Sequence, residues 1–235
     1  DQLRGYVSRG GSLLATYETS LYDEWGVRRP DFRLSDVFGA SFTGKVEGPM
    51  QNSYLQLEKV PGSATYHPIL AGLEDAGRII NGVRRVDVRP NTPAPGETAI
   101  PAPLTLIPSY PDLPMEKVFP RVERTEISGV YLRERGKSRL VYFPWDIDRT
   151  FWEVMCVDHS RLLRNAVEWA TNEERPVTVT GPGVVEVTVW RQKSSMTVHL
   201  VNLTNPMMMK DPYRELVPVG EQKTQGPAPP RQEGC

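Results

Sequence analysis

Apolar residues fall along this chain in short bursts separated by glycine- and proline-rich turns, with a few helical faces between them. Within residues 1–9, Leu3, Tyr6 and Val7 share one helical face, and Gly10 and Gly11 follow as a C-terminal stop. Residues 12–17 are an apolar run bounded by turn signals, which predicts a buried parallel strand. Helix, glycine turn and apolar strand together make the αβ half of a βαβ unit. Residues 18–30, polar and aromatic, predict a loop at the strand's C-terminal end. A short helix is expected over 34–38, ended by Gly39, and extended segments over 41–60. Residues 67–73 read as a turn with one helical turn, 83–88 as an alternating strand, and 104–107 as a short apolar strand. Between the last two, residues 91–103 hold four prolines and a glycine and predict a loop. Residues 108–124 are proline-punctuated and irregular.

The following stretch carries the clearest pattern. Residues 130–133 and 139–143 are apolar strands joined across 134–138, with Gly136 in the turn. Residues 144–157 predict a loop rich in aromatics and acids. Asp158 then caps a helix over 159–171 whose Leu162, Leu163, Ala166, Val167 and Ala170 fall on one face, suited to packing on a sheet. Residues 173–176 end it, and the period changes to two. Segments 177–180, 185–190 and 196–203 predict an antiparallel meander. The expected organisation is a domain over 1–172, a small β domain over 176–220 and a disordered tail over 221–235. A chain that opens inside a helix predicts further residues upstream.

Composition narrows the function classes. The formal net charge is −1, so no basic excess points to nucleic acid or to an anionic membrane surface. No apolar run is long enough to span a bilayer. The only cysteines are Cys156 and the terminal Cys235, which make neither a disulfide framework nor a zinc site and suit a reducing, cytoplasmic setting. His67, His159 and His199 show no ligand spacing, and no glycine-rich phosphate loop or dinucleotide fingerprint is present. No metal and no cofactor is expected.

Two clusters could carry chemistry. Asp146 and Asp148 lie just past the strand 139–143, where α/β folds place their sites. On an extended chain, residues two apart point the same way, so they could form the carboxylate pair of a glycosidase. The plainer reading is a loop network with Arg149 or capping of local backbone, because one short loop seldom supplies both partners of such a pair. Glu18, Asp23 and Glu24 follow the first strand with Tyr17, Tyr22 and Trp25 interleaved. Aromatics beside acids suit a sugar platform, with Trp152 as a further candidate, or a subunit contact. The strand-end run Ala15-Thr16-Tyr17-Glu18-Thr19 offers no nucleophile between glycines, and Cys156 follows an aromatic loop rather than a tight elbow.

Several of these segments resemble one family. Residues 3–17, Leu-Arg-Gly-Tyr-Val-Ser-Arg-Gly-Gly-Ser-Leu-Leu-Ala-Thr-Tyr, resemble the helix-and-strand signature of the β-galactosidase trimerisation domain of glycoside hydrolase family 42. His-Pro-Ile-Leu-Ala-Gly-Leu over 67–73 is similar to a motif of the class I glutamine amidotransferase-like superfamily to which that domain belongs. Residues 136–143, with the helical face from Leu162 to Ala170, are similar to its closing strand and helix. Phe-Pro-Trp-Asp-Ile-Asp-Arg-Thr-Phe-Trp over 143–152 looks closer still to hypothetical bacterial glycosyl hydrolases in which a barrel domain precedes this module.

The resemblance implies an α/β fold with a flavodoxin-like parallel sheet and flanking helices, incomplete at its N-terminus. It also implies a small C-terminal antiparallel β domain. Amidotransferases use a Cys nucleophile and a late His-x-Glu; this chain has neither in place, so that activity is not carried over. The function implied is a non-catalytic oligomerisation domain of a glycoside hydrolase-like protein. Its partners would be its own copies in a homotrimer and an upstream barrel, and the loops 18–30 and 108–125 would make the contacts. The alternative is a carbohydrate-binding or hydrolytic module built from Tyr17, Glu18, Trp25, Asp146 and Trp152.

Overall fold

The computed structural model describes residues 2–193, 195–205 and 217–226. The chain falls into two compact units, Asp1–Asn172 and Glu173–Cys235.

The first unit opens with α1 (Gln2–Ser8), β1 (Leu13–Thr16), α2 (Ser35–Phe38), β2 (Ala40–Glu47) and β3 (Tyr54–Leu57). After two short 3-10 turns come β4 (Arg78–Ile80), β5 (Arg85–Pro90), β6 (Glu97–Ile100) and β7 (Leu104–Ile107). A third 3-10 turn precedes β8 (Tyr131–Arg135), β9 (Ser138–Phe143), α3 (Ile147–Val154) and α4 (Val157–Thr171). The main sheet runs β1-β9-β8-β6. Strand β1 pairs with β9 in parallel, Leu13 opposite Leu140 through Thr16 opposite Phe143. The β8–β9 hairpin and the β6–β8 pairing are antiparallel. Strands β2–β5 and β4-β3-β7 make two smaller antiparallel sheets.

The chain is thus α/β in character with a mixed sheet; β1 is parallel as its apolar run predicts, but the fully parallel sheet that the resemblance implies is not what forms. A parallel neighbour needs a long crossover. The segment between β1 and β9 instead folds back repeatedly into antiparallel pairs, leaving one parallel contact.

Both faces of the main sheet are covered, which is why β9 reads as a continuous apolar run. Val141 and Phe143 face one core, filled by Leu162, Ala166 and Trp169 of α4 and by Ile69, Leu70 and Trp145. Leu140 and Tyr142 face the other, filled by Phe32, Val37, Phe38, Phe42 and Val86. Phe38 stacks on Tyr142 with ring centroids 4.6 Å apart. Residue period two along the strand therefore divides one sequence run between two cores.

Several expectations are corrected. Residues 91–103 are not all loop: β6 lies within them as an exposed edge strand held by β8. Strand β4 carries no clear signal of its own and is set by pairing with β3. Residues 144–157 contain α3, and α4 starts two residues early, with Cys156 rather than Asp158 as its N-cap. Val167 lies outside the buried face of α4, whereas Asn165 and Trp169 lie within it. In α1 only Val7 is buried.

The second unit holds a hairpin of β11 (Val185–Arg191) and β12 (Met196–Asn202), and a second pair of β10 (Thr178–Thr180) and β13 (Lys223–Gln225). Strand β10 pairs with β13 rather than continuing a meander into β11. The expected disordered tail over 221–235 is accordingly corrected at Lys223–Gln225; its part over 227–235 lies outside the described residues. No helix of the described residues is long and apolar enough to cross a membrane.

Candidate functional site

The end of the parallel pair β1–β9 gathers several of the singled-out residues. Tyr17, directly after β1, takes a left-handed backbone with φ 46°. That conformation is rare outside glycine and persists only where surroundings impose it. Here the Tyr17 amide donates to Phe143 O at 2.7 Å and the buried Tyr142 hydroxyl donates to Tyr17 O at 2.8 Å. The strand end is thereby bent as a nucleophile elbow would be, but the side chain it offers is a phenol. Burial raises the Tyr17 pKa, Glu18 and Asp146 add to that, and the nearby Arg84 guanidinium opposes it. A raised pKa keeps the phenol protonated, and its hydroxyl lies within hydrogen-bonding reach of the Arg84 side chain.

Asp146 follows β9 and is 1% exposed. Its Oδ1 accepts from the Arg84 amide at 2.9 Å and from the Thr150 hydroxyl at 3.3 Å, and its Oδ2 has no partner among the described residues. Its backbone amide donates to Arg84 O at 3.1 Å. The segment before β5 is thus stitched to the start of α3, and Gly82 leaves the room: a Cβ there would stand 2.3 Å from Asp146 Oδ1.

Asp148 is exposed and does not join Asp146. The expectation that both point the same way assumed extended backbone; α3 begins between them, and two residues of helix turn the side chains about 200° apart. Arg149 pairs with Glu153 at 3.0 Å on the exposed face of α3, with Asp146 and Tyr17 also supporting its charge. Trp152, on the same helix, is half exposed.

The residues after β1 form a tight loop. Asp23 Oδ1 accepts from the amides of Trp25 at 3.0 Å and Val27 at 2.8 Å, which presents Trp25 at the tip, 83% exposed. Glu18 accepts from the Tyr22 hydroxyl at 3.2 Å, and Glu24 stands 3.9 Å from Arg29. Tyr17 and Asp146 are therefore brought together at Arg84, with Arg149 within electrostatic reach of both. Asp23, Glu24 and Trp25 belong to the loop tip instead. Arg84 was missed in the sequence because nothing there pairs residue 84 with residues 17 and 146.

His159 and Cys156 do not form an acid–base pair. His159 is buried, its Nε2–H donating to Ile80 O at 2.8 Å and its ring edge-on to Trp145. Its Nδ1 has no partner among the described residues. Burial holds the pKa of His159, and likewise that of the half-buried His67, below the ordinary histidine value. Below about pH 6.5 the unfolded chain therefore binds protons that the folded chain refuses, so stability falls with pH. The urea midpoint is expected to drop between about pH 7.5 and about pH 5.5, and His159→Gln to flatten the slope. Asp36 and Glu97, whose pKa values are lowered, lose their contribution only below about pH 4 and do not mask this window. A midpoint that is flat or rises on acidification would exclude the assignment. Among the described residues, no group of three or more His, Cys, Asp or Glu is placed to hold a metal ion.

No family model matches the chain, and no curated protein matches it. Solved structures do. The fold is shared with glycoside hydrolases. The α-L-fucosidase isoenzyme 2 of Paenibacillus thiaminolyticus aligns at TM-score 0.62 and 13% identity, over 96% of this chain and 31% of that one. A β-galactosidase from Bacillus circulans sp. alkalophilus gives 0.52 at 12% identity, over 86% and 24%. A GH42 β-galactosidase from G. stearothermophilus gives 0.51 at 13% identity, over 87% and 24%. The chain thus spans between 24% and 31% of the length of these three chains. At such identities the likeness is one of fold.

Proposed function

We propose that this chain is a non-catalytic assembly domain of a glycoside hydrolase-like protein, related to the flavodoxin-like trimerisation domain of the family-42 β-galactosidases. The observation that carries the reading is the apolar surface of the two irregular segments. Trp25 and Val27 stand out from the loop after β1, and Leu113, Met115, Phe119 and Val122 from the segment between β7 and β8. Clustered large exposed apolar side chains are what a subunit contact requires. The fold likeness, which covers only part of each hydrolase chain, supports a module rather than a whole enzyme. The strand-end cluster supports it too: a protonated Tyr17 phenol and an Asp146 carboxylate bound to backbone are holding groups. The barrel and the reacting carboxylates would lie elsewhere in the parent protein.

Light scattering after size exclusion tests this on the full chain. A trimer is expected, and Trp25→Ser combined with Met115→Ser is expected to shift it to monomer with the circular dichroism unchanged. A strict monomer at micromolar concentration would refute the proposal.

A further inference from the structure

We infer that the first turn of α4 is an acid-released latch: the neutral ring of His159 pins it to β4 and to Trp145, and a second proton on that ring sets it free. Within that turn, residues 157–160, His159 is the only buried side chain, and Val157 is exposed. The start of the helix has no side-chain fastening of its own. Its N-cap, Cys156, makes no side-chain cap hydrogen bond, and Met155 before it takes a left-handed backbone with φ 52°. A helix start without a cap leaves its first amides unsatisfied, so the turn relies on what its buried side chain holds.

The contacts of His159 suit only its neutral form. The Nε2–H bond to Ile80 O, 2.8 Å, takes the single proton of a neutral ring and leaves Nδ1 as an acceptor. Nδ1 has no partner among the described residues, and the ring lies edge-on to Trp145 with centroids 5.2 Å apart. An acceptor left idle is a modest cost. A buried Nδ1–H on a charged ring, with no acceptor to receive it, is a far larger one. The ring gains water only by leaving its place, and the turn that carries it must follow.

The charges that act on the ring come from two sides. Asp158 precedes it on α4, and Asp146 stands at the N-cap of α3. Burial outweighs both carboxylates and the Ile80 carbonyl of β4, and holds the His159 pKa below its ordinary value. The closed turn is therefore favoured above about pH 6.5 and loses ground below it, where an opened ring takes a proton that the closed ring refuses. Arg84 is held separately by Asp146, so release is local. It would uncover the Trp145 ring at the α3–α4 joint, where Val154 and Val157 are already exposed, and so enlarge an apolar surface in acid. This does not depend on the assembly reading, since its readout is local opening rather than oligomeric state.

Amide exchange of the full chain at about pH 7.5 and about pH 5.5, corrected for intrinsic rates, provides the test. An opened imidazole of ordinary pKa is about ten-to-one protonated at the lower pH, so protection over 160–163 is expected to fall by about three- to tenfold. Protection in β8–β9 and at Arg84 is expected to stay unchanged. His159→Gln keeps a donor for Ile80 O but takes no proton, and is expected to give equal protection at the two pH values. Because that variant can itself loosen the turn, the His159 titration of the wild-type chain is followed by NMR in parallel. Its midpoint is expected below the ordinary histidine value and in step with the loss of protection. A loss spread evenly over all amides would be global destabilisation and would overturn the latch. So would protection over 160–163 that ignores pH, a pH dependence that survives in His159→Gln, or a ring that titrates without opening.

Discussion

Removing the Glu97 carboxylate is expected to lower the unfolding free energy by about 3–5 kcal/mol, the effect of stranding a buried guanidinium. The Glu97 and Arg133 side chains are 1% and 4% exposed and meet at 2.7 Å. Glu97 also accepts from Arg135 at 3.1 Å and from the Ala94 amide at 3.0 Å. Burial by itself would raise the Glu97 pKa; the Ala94 amide, Arg133 and Arg135 outweigh it and hold the carboxyl below its usual range. On its other side Arg133 donates to Gly39 O at 2.9 Å and to Asn91 O. One ion pair thus ties edge strand β6 and the end of α2 to the middle of the sheet. Glu97→Ala should reduce the urea midpoint without changing the m-value, and Glu97→Leu with Arg133→Met should recover most of the loss, because no charge is left buried alone. Gly39→Ala should mimic the damage from the other side. Gly39 has φ 69°, and a Cβ there would stand 1.8 Å from Arg133 Nε. A Glu97→Ala loss below about 1 kcal/mol would place this pair among the weak surface bridges and refute the account.

Trp145→Ala should cost a similar amount, about 3–5 kcal/mol. Trp145 is 1% exposed and stands edge-on to both Phe143 and His159. Its indole Nε1 donates to Gly129 O at 2.8 Å. Truncation opens a cavity in the core beneath α4 and leaves that carbonyl without its donor. Trp145→Phe should recover the packing but not the hydrogen bond, with a loss between those of wild type and alanine. Because Asp146 is the next residue, the alanine variant should also loosen the Asp146–Arg84 contact, which amide exchange at Arg84 would report. Unchanged exchange there, with stability lost, would show that the strand-end cluster is held independently of Trp145.

What was legible in the sequence was whatever a local pattern enforces. The β8–β9 hairpin, α4 and the strand after Gly11 are all readable, because alternation, a turn glycine and a helical face are properties of neighbouring residues. Strands β4 and β6 were not, since each is an exposed or short segment whose ladder partner lies elsewhere in the chain. The same holds for the candidate sites. Tyr17 and Asp146 were visible as residues past strand ends, but Arg84 between them was not. Arg85 reads as one more residue of an alternating strand, whereas the fold buries its guanidinium beside Glu47 with Nη2 unpartnered among the described residues. By itself the sequence determined α1, α2 and α4, the hairpin and the apolar content of most strands, through interactions between residues a few positions apart; α3 was read as loop. Only the tertiary structure decided the mixed sheet, the opposed directions of Asp146 and Asp148, and which charges are buried, because pairing register and burial depend on residues brought together from distant parts of the chain.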